Sequence, residues 1–387
     1  MKERVTIHNI TIFALLPFTL LMKVELQVFS IFCIISTLFL NNYKKSSLFY
    51  ISTFFPLVVI LLLGLTHNKI NFLFEDDRYY WEQGMSLSAK NYGELFSKFL
   101  FERTLSFNNY IYWVGILMKS IGNNIIGIYL FNYTCFLIIS SKMIPKNYGL
   151  KSWTEIPFEL IFFIFFVFKD MLATAILFYS IILFRNNSWG GRLLIIAILA
   201  LILEPLRTGY FMIPLVAYIF PNFILKLKYR LIILTVIFIT LFYIIYGSEL
   251  LQYIHPKVSY YTDSLLFRVN NSTGFLSQLF NGLSNSNYIL APFFIATATF
   301  IPLLSIQKGL LVFTFIRGIS LYVFIKYLLD NTVIDKRYLE KCTFILILLQ
   351  VLLAPGMLRH SLIILPFIYT LIYEKNNNIH RRSSILS

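Results

Sequence analysis

Apolar runs of membrane-spanning length recur along this chain from residue 8 to residue 373. They limit what it can fold into more than any other feature. Crossing the hydrocarbon core of a bilayer takes a helix of about 20 mostly apolar residues, with about 17–25 tolerated. Inside a bilayer each backbone N–H and C=O must be bonded within the protein, so such runs fold as helices. The runs fall at roughly 8–22, 24–41, 47–66, 123–141, 153–168, 170–185, 192–206, 209–225, 229–247, 289–306, 309–329, 340–356 and 358–373. Several are short, and 8–22 with 24–41 reads as a tight hairpin or a partly re-entrant pair. The expected fold class is all-α, a polytopic integral membrane helical bundle of about 10–13 transmembrane helices. Composition agrees: 58% of the residues are hydrophobic and 13% charged, whereas a soluble domain carries about 25% charged residues. The runs continue from end to end, so residues 1–387 are expected to form a single transmembrane domain.

The net charge of +15 comes from short basic clusters between apolar runs: Lys44-Lys45, Lys142/Lys146/Lys151, Arg185/Arg192, Lys226/Lys228/Arg230 and Arg381-Arg382. Cytoplasmic loops have this distribution under the positive-inside rule. No basic segment interleaved with aromatics on a polar background is present, so nucleic acid is not expected as a partner. The partner implied by composition is the lipid bilayer. Cys33, Cys135 and Cys342 lie in apolar runs without CxxC spacing and read as small hydrophobes. The N-terminal segment has no small-residue cleavage site and reads as a retained membrane segment.

Two stretches interrupt the rhythm, 67–122 and 248–288. Connections this long are functional or disordered in most compact proteins. With the basic clusters inside, both fall outside as long external loops. Residues 109–121 within the first are amphipathic and too short to span easily. They predict an interfacial helix, with Tyr110, Tyr112 and Trp113 at the headgroup level. The orientation of the C-terminal third stays open.

There is no GxxxxGK followed by Ser or Thr, no GxGxxG, no HExxH and no GxSxG. Any chemistry must therefore use polar residues at the membrane edge. Glu75, Asp76, Asp77 and Arg78 open the first external loop, followed by Tyr79, Tyr80 and Trp81. Adjacent acids repel one another. Such a group can hold a divalent cation or deprotonate an acceptor hydroxyl, and the aromatics offer faces to sugar rings. It can equally be a solvated acidic loop with an aromatic belt. Lys169-Asp170 sits between two apolar runs; it joins the first-loop acids if the turn faces outside, or pairs with itself and snorkels to water. Glu204-Pro205-Leu206-Arg207-Thr208-Gly209-Tyr210 places a permanently charged guanidinium at a hairpin end, suited to phosphate, with Glu204 as its alternative partner. Arg359-His360 is a second candidate phosphate clamp, and Arg317 is expected to face the bundle interior. Lys257, Asp263 and Arg268 are polar groups of the second loop without an assigned role.

These features together resemble the GT-C glycosyltransferase superfamily. The resemblance lies in an acidic pair opening the first external loop, an interfacial helix, Ile121-Gly122-Asn123-Asn124, and an apolar span carrying Asn132. Lys169-Asp170 is similar to that superfamily's second-loop acid, and Arg359 with Pro366-Phe367 to a late helix of several members, His360 standing where Tyr is usual. Phe168-Lys169-Asp170-Met171-Leu172 and Leu206-Arg207-Thr208-Gly209-Tyr210 also resemble EpsG-like and Wzy-type polysaccharide polymerases. The likeness covers roughly residues 60–215 and 345–373. It implies a bacterial inner-membrane enzyme acting on a polyprenyl-(di)phosphate-linked glycan, working alongside a flippase and a chain-length regulator. It implies Asp76 or Asp77 as base, with Asp170 beside them. Arg207 and Arg359, with Lys169, would bind the departing phosphate. Glu75, Arg78, Tyr79, Tyr80, Trp81 and His360 would line the substrate. The first loop reads Asp-Asp rather than the Asp-X-Asp of oligosaccharyltransferases, so a divalent cation on Asp76 and Asp77 is an option, not a requirement. A lipid-linked oligosaccharide flippase is the competing class. Transporters usually carry internal repeats and broken helices with midplane charges; the sequence shows no repeat and collects its charges toward one face.

Overall fold

The computed structural model describes residues 2–66, 75–102, 109–122, 124–167, 169–207, 209–219, 316, 318–319, 322–323, 337–353 and 362–386. Every regular element among these is helical. The chain divides into two compact units, Met1–Val216 with Tyr369–Ser387, and Ala217–Ile368. Three helices of the described residues are long and apolar enough to cross a membrane: Val24–Lys44, Ser47–Leu65 and Ile125–Met143. They are what a helical membrane protein requires.

The first unit begins with α1 (Lys2–Phe13) and α2 (Leu16–Leu20), which Pro17 restarts in its first turn, where a missing N–H costs nothing. They fold back on α3 (Val24–Lys44) as the hairpin expected for 8–22 and 24–41. Asn9 donates to Asn42 at 2.6 Å and accepts from Asn41 at 2.9 Å. α4 (Ser47–Thr66) returns alongside α3, and α8 (Ile125–Met143) packs against both. Tyr133 of α8 joins all three: its hydroxyl donates to the Thr53 carbonyl at 3.1 Å and lies 2.7 Å from the Thr37 hydroxyl. Cys33, Cys135 and Cys342 are free and buried, as small hydrophobes are.

Between α4 and α8 the first long loop folds into three short helices, α5 (Glu75–Leu87), α6 (Tyr92–Phe101) and α7 (Tyr110–Ile121). α5 and α7 approach closely because both are glycine at the contact. A Cβ on Gly84 would stand 2.4 Å from Val114 Cγ1, and one on Gly115 would stand 3.2 Å from Leu87 Cβ. Asn109 closes the end of α6, its amide donating to the Phe99 and Glu102 carbonyls at 3.0 and 2.6 Å. The short helix expected over 109–121 is present, but its aromatics do not form a belt. Tyr110 is fully buried, with its ring 5.2 Å from that of Tyr80, and Trp113 lies between Phe99 and Phe131. Gly122 ends α7 at φ +78°, and Asn124 starts α8 by accepting from the Ile126 N–H at 3.0 Å. Gly122 is therefore a helix stop and Asn124 a helix start.

Residues 153–168, expected as a straight span, instead form a broken path. A 3-10 turn (Trp153–Glu155) leads into α9 (Phe158–Phe162), a second 3-10 turn (Phe163–Phe165) and extended backbone at Phe166. Leaving a helix orphans backbone carbonyls. Fully buried Asn132 of α8 meets two of them, donating to Ile164 at 3.2 Å and Phe166 at 2.6 Å. α10 (Lys169–Asn186) then runs alongside α8, with Lys142 over the Tyr179 ring, and α11 (Trp189–Leu203) returns. α12 (Ile213–Ile219) follows.

In the second unit α13 (Arg337–Leu353) matches the run at 340–356 and buries Cys342, Phe344 and Ile347. α14 (Leu365–Leu386), which from Tyr369 onward belongs to the first unit, begins later than the run at 358–373 and extends well past it. The runs at 229–247 and 289–306 and the loop at 248–288, with Lys257, Asp263 and Arg268, lie outside the described residues, as does Arg317.

The α5–α7 contact gives the first expectation. Gly84→Ala should lower the thermal unfolding midpoint of detergent-purified protein, at a cost of about 1–3 kcal/mol for overpacking. Val114→Ala in the same chain should restore most of the loss. Equal midpoints for wild type and Gly84→Ala would show that the helices do not meet through this glycine.

Candidate functional site

Three separated segments bring their charges together near the N-terminal part of α8. The first is the opening turn of α5. Asp77 is 2% exposed, and its Oδ1 accepts a hydrogen bond from the Val167 N–H. The second is the first turn of α10, where Lys169 and Asp170 are both buried. The third is the hairpin after α11, where Arg207 pairs with Asp170. Val167 lies three residues before Asp170, so one short stretch of backbone connects the first-loop acid to the ion pair.

Local folding explains each placement. Asp77 and Asp170 sit in the first turns of α5 and α10, where the helix dipole favours negative charge. Arg207 follows the C-terminus of α11, where positive charge is favoured, and its N–H bonds to Leu203 O at 2.6 Å. Glu204 is not its partner. The Glu204 carboxylate accepts from the Gly209 N–H at 2.8 Å, closing a turn in which Gly209 takes φ +78°. With Glu204 occupied inside the hairpin, Arg207 reaches across to Asp170.

Among the described residues of these three segments, two buried cations, Lys169 and Arg207, stand against two buried acids, Asp77 and Asp170. That balance matters, because an uncompensated buried charge costs several kcal/mol. Tyr110 belongs to the same neighbourhood. Burial pushes its phenol well above the ordinary range, and Cys135, Tyr80 and Asp77 add to the shift. The hydroxyl is thus a neutral donor near Asp77, and it meets no hydrogen-bond partner among the described residues.

The remaining expected residues divide. Tyr80 and Trp81 are buried, Tyr80 with its ring edge-on to that of Tyr110. Arg78 faces away, bonded to Glu82 at 2.6 Å on the exposed side of α5, and Tyr79 is exposed. The helix α5 begins at Glu75, but the side chains of Glu75 and Asp76 lie outside the described residues, as do Arg359 and His360. Among the described residues no three His, Cys, Asp or Glu side chains gather as a metal site. Asn132 and the Val167 N–H complete the site. Asn132 was legible only as a polar residue in an apolar span, and a backbone donor carries no sequence signal at all.

A second polar cluster lies where α8 ends. Buried Glu155 accepts from Tyr148 Oη at 2.9 Å, Asn376 Nδ2 at 3.0 Å and the Lys151 N–H at 3.1 Å. Tyr373 Oη donates to the Glu155 carbonyl. Lys44 Nζ donates to Ile144 O at 2.6 Å, and Ser46 Oγ to Tyr148 O at 2.7 Å. The basic clusters at Lys44-Lys45, Lys142/Lys146/Lys151 and Arg185/Arg192 thus share one end of this unit, away from Asp77 and Arg207.

No known protein family, characterised protein or solved structure matches this chain. The functional reading therefore stands on the residues themselves.

The buried pair makes a stability prediction. Asp170→Leu or Arg207→Met alone should cost about 3–5 kcal/mol by stranding the partner's charge. The double variant should recover much of that. Additive losses in a double-mutant cycle on purified protein would mean that the two side chains do not act as a pair.

Proposed function

We propose that the chain is an integral membrane glycosyltransferase acting on polyprenyl-(di)phosphate-linked sugar or oligosaccharide at the outer face of a bacterial inner membrane. Within that class we propose a repeat-unit polymerase for O-antigen, capsule or exopolysaccharide. The observation that supports this reading is the meeting of Asp77, Lys169, Asp170 and Arg207, drawn from three segments, at the end of the unit opposite its basic clusters.

The chemistry follows from the charges. A hydroxyl of the acceptor glycan attacks the anomeric carbon of the donor sugar. The new glycosidic bond forms as the bond from that carbon to the phosphate oxygen breaks, and the phosphate keeps the electron pair. Asp77 receives the acceptor's proton, a contribution of typically 10²–10⁴-fold for general bases. Arg207 and Lys169 neutralise the charge growing on the leaving phosphate, and such preorganised electrostatics usually accelerates a reaction more than any other single effect. Arg207 is held by Asp170 until phosphate competes for it. No step requires a metal ion.

One observation favours the alternative of a lipid-linked oligosaccharide flippase. The path from Trp153 to Val167 is broken beside buried charges, as in many transporters. The two readings separate on a single variant. Asp77→Asn keeps an oxygen for the Val167 N–H but loses the base. In complemented cells it should leave folded protein in the membrane and reduce polymer at least about 100-fold, while lipid-linked single units still reach the outer leaflet. Wild-type polymer length and amount from both Asp76→Asn and Asp77→Asn would end the transferase reading.

Orientation has its own test. The native cysteines are buried, so Asp76→Cys and Asp263→Cys report alone. Both should react with an impermeant maleimide applied from outside. Reaction from the cytoplasmic side only would invert the topology.

A further inference from the structure

We propose that Asn132 is a positioning residue, one that sets the catalytic carboxylate from inside α8 without touching substrate. The proposal rests on the transferase reading, because it gives Asn132 a purpose within that site.

The chain of contacts is short. Asp77 is held by a backbone donor, the Val167 N–H. Val167 follows a 3-10 turn and the extended Phe166, a path with no helical ladder to fix it. What fixes it is the Asn132 amide, donating to the carbonyls of Ile164 and Phe166 at 3.2 and 2.6 Å. The Phe166 carbonyl and the Val167 N–H belong to the same peptide unit, and a peptide unit is planar. Gripping the carbonyl therefore aims the N–H at Asp77. The amide's orientation is forced, since only its NH₂ can meet two carbonyls. Its Oδ1 has no partner among the described residues, so the side chain is placed for its donors.

The same grip sets the start of α10. Lys169 and Asp170 lie just beyond, in the first turn of α10, and Asp170 carries the ion pair with Arg207. The charged groups among the described residues that this path places are Lys169 and Asp170 of α10 and, through Asp170, Arg207 beyond α11. Tyr80 of α5, Tyr110 of α7 and Tyr129 of α8 are the phenols around Asp77. A residue that merely filled space at 132 would not need an amide.

Hydrogen–deuterium exchange on the detergent-purified full chain tests the hold directly, and polymer yield in complemented cells tests its purpose. Asn132→Leu removes both donors at nearly constant volume. It should speed exchange over residues 163–170 at least about tenfold, with α3 and α4 at wild-type rates, and should lower polymer yield toward that of Asp77→Asn. Asn132→Asp keeps at most one donor and should fall between the two; it decides the matter if Asn132→Leu loses protection throughout. Unchanged exchange over 163–170 in these variants overturns the proposal. So does faster exchange with wild-type polymer yield, provided Asp77→Asn is inactive. If Asp77→Asn itself makes wild-type polymer, the transferase reading has failed, and the exchange result alone then judges whether Asn132 holds the Asp77 partner.

Discussion

A broken backbone inside an apolar bundle must find its hydrogen bonds within the protein, and the first unit is arranged around that necessity. Between Trp153 and Val167 the chain runs without a continuous helix. Carbonyls released by the break would each cost about 1–3 kcal/mol if left unpaired. Asn132 binds two of them. The break also leaves the Val167 N–H without a helical acceptor, and Asp77 accepts it. A defect in one segment thus supplies the fixed donors that hold a carboxylate from another. Lys169, Asp170 and Arg207 follow from where the broken path ends.

The two ends of this unit handle polar groups differently. At the basic end, Glu155 accepts hydrogen bonds from Tyr148, Asn376 and the Lys151 backbone. Burial pushes the Tyr148 phenol above its usual range, with Asn376 working against the shift and Glu155 adding to it. A carboxylate bonded this fully has little capacity left for a ligand. It ties the connection after α8 to α14 and reads as architecture. At the acidic end, one carboxylate accepts from a neutral backbone N–H, and an arginine is matched to an acid from another segment. Under the proposed reading, such partners are exchanged when substrate binds.

Much of this was legible from residue type and spacing. Apolar length located α3, α4 and α8, because the bilayer sets one length for all spans. The Lys and Arg clusters located one end of the unit, and the charges at 75–78, 169–170 and 204–207 marked the other. Pairing was not legible. Glu204 and Arg207 are near in sequence, yet Gly209 takes the Glu204 carboxylate and frees Arg207 for Asp170. Nor did hydropathy distinguish a straight span from the broken path at 153–168, since both bury the same apolar residues. The packing of the α7 aromatics was not legible for a related reason. A tyrosine suits an interface or a core, and the glycines at 84 and 115, by letting α5 and α7 close, decide for the core.

The balance of charge also bears on how such a site would take a phosphate. Among the described residues, two cations and two acids are buried in the segments of this site. An incoming phosphate brings negative charge that cannot simply be added, because an unmatched buried charge is costly. It must displace an anion from a cation, and Arg207 can trade Asp170 for phosphate through the same planar fork of donors. Asp170 then loses its partner, and Lys169, adjacent in sequence and buried with it, is the nearest cation along the chain. The Lys-Asp pair at the head of α10 would thus serve as an internal reservoir, absorbing the carboxylate that phosphate releases. On this view Asp170 is not a second base but the placeholder that keeps Arg207 ready. Asp77 accepts from the Val167 N–H, and in the proposed reaction it is the carboxylate that takes the acceptor's proton.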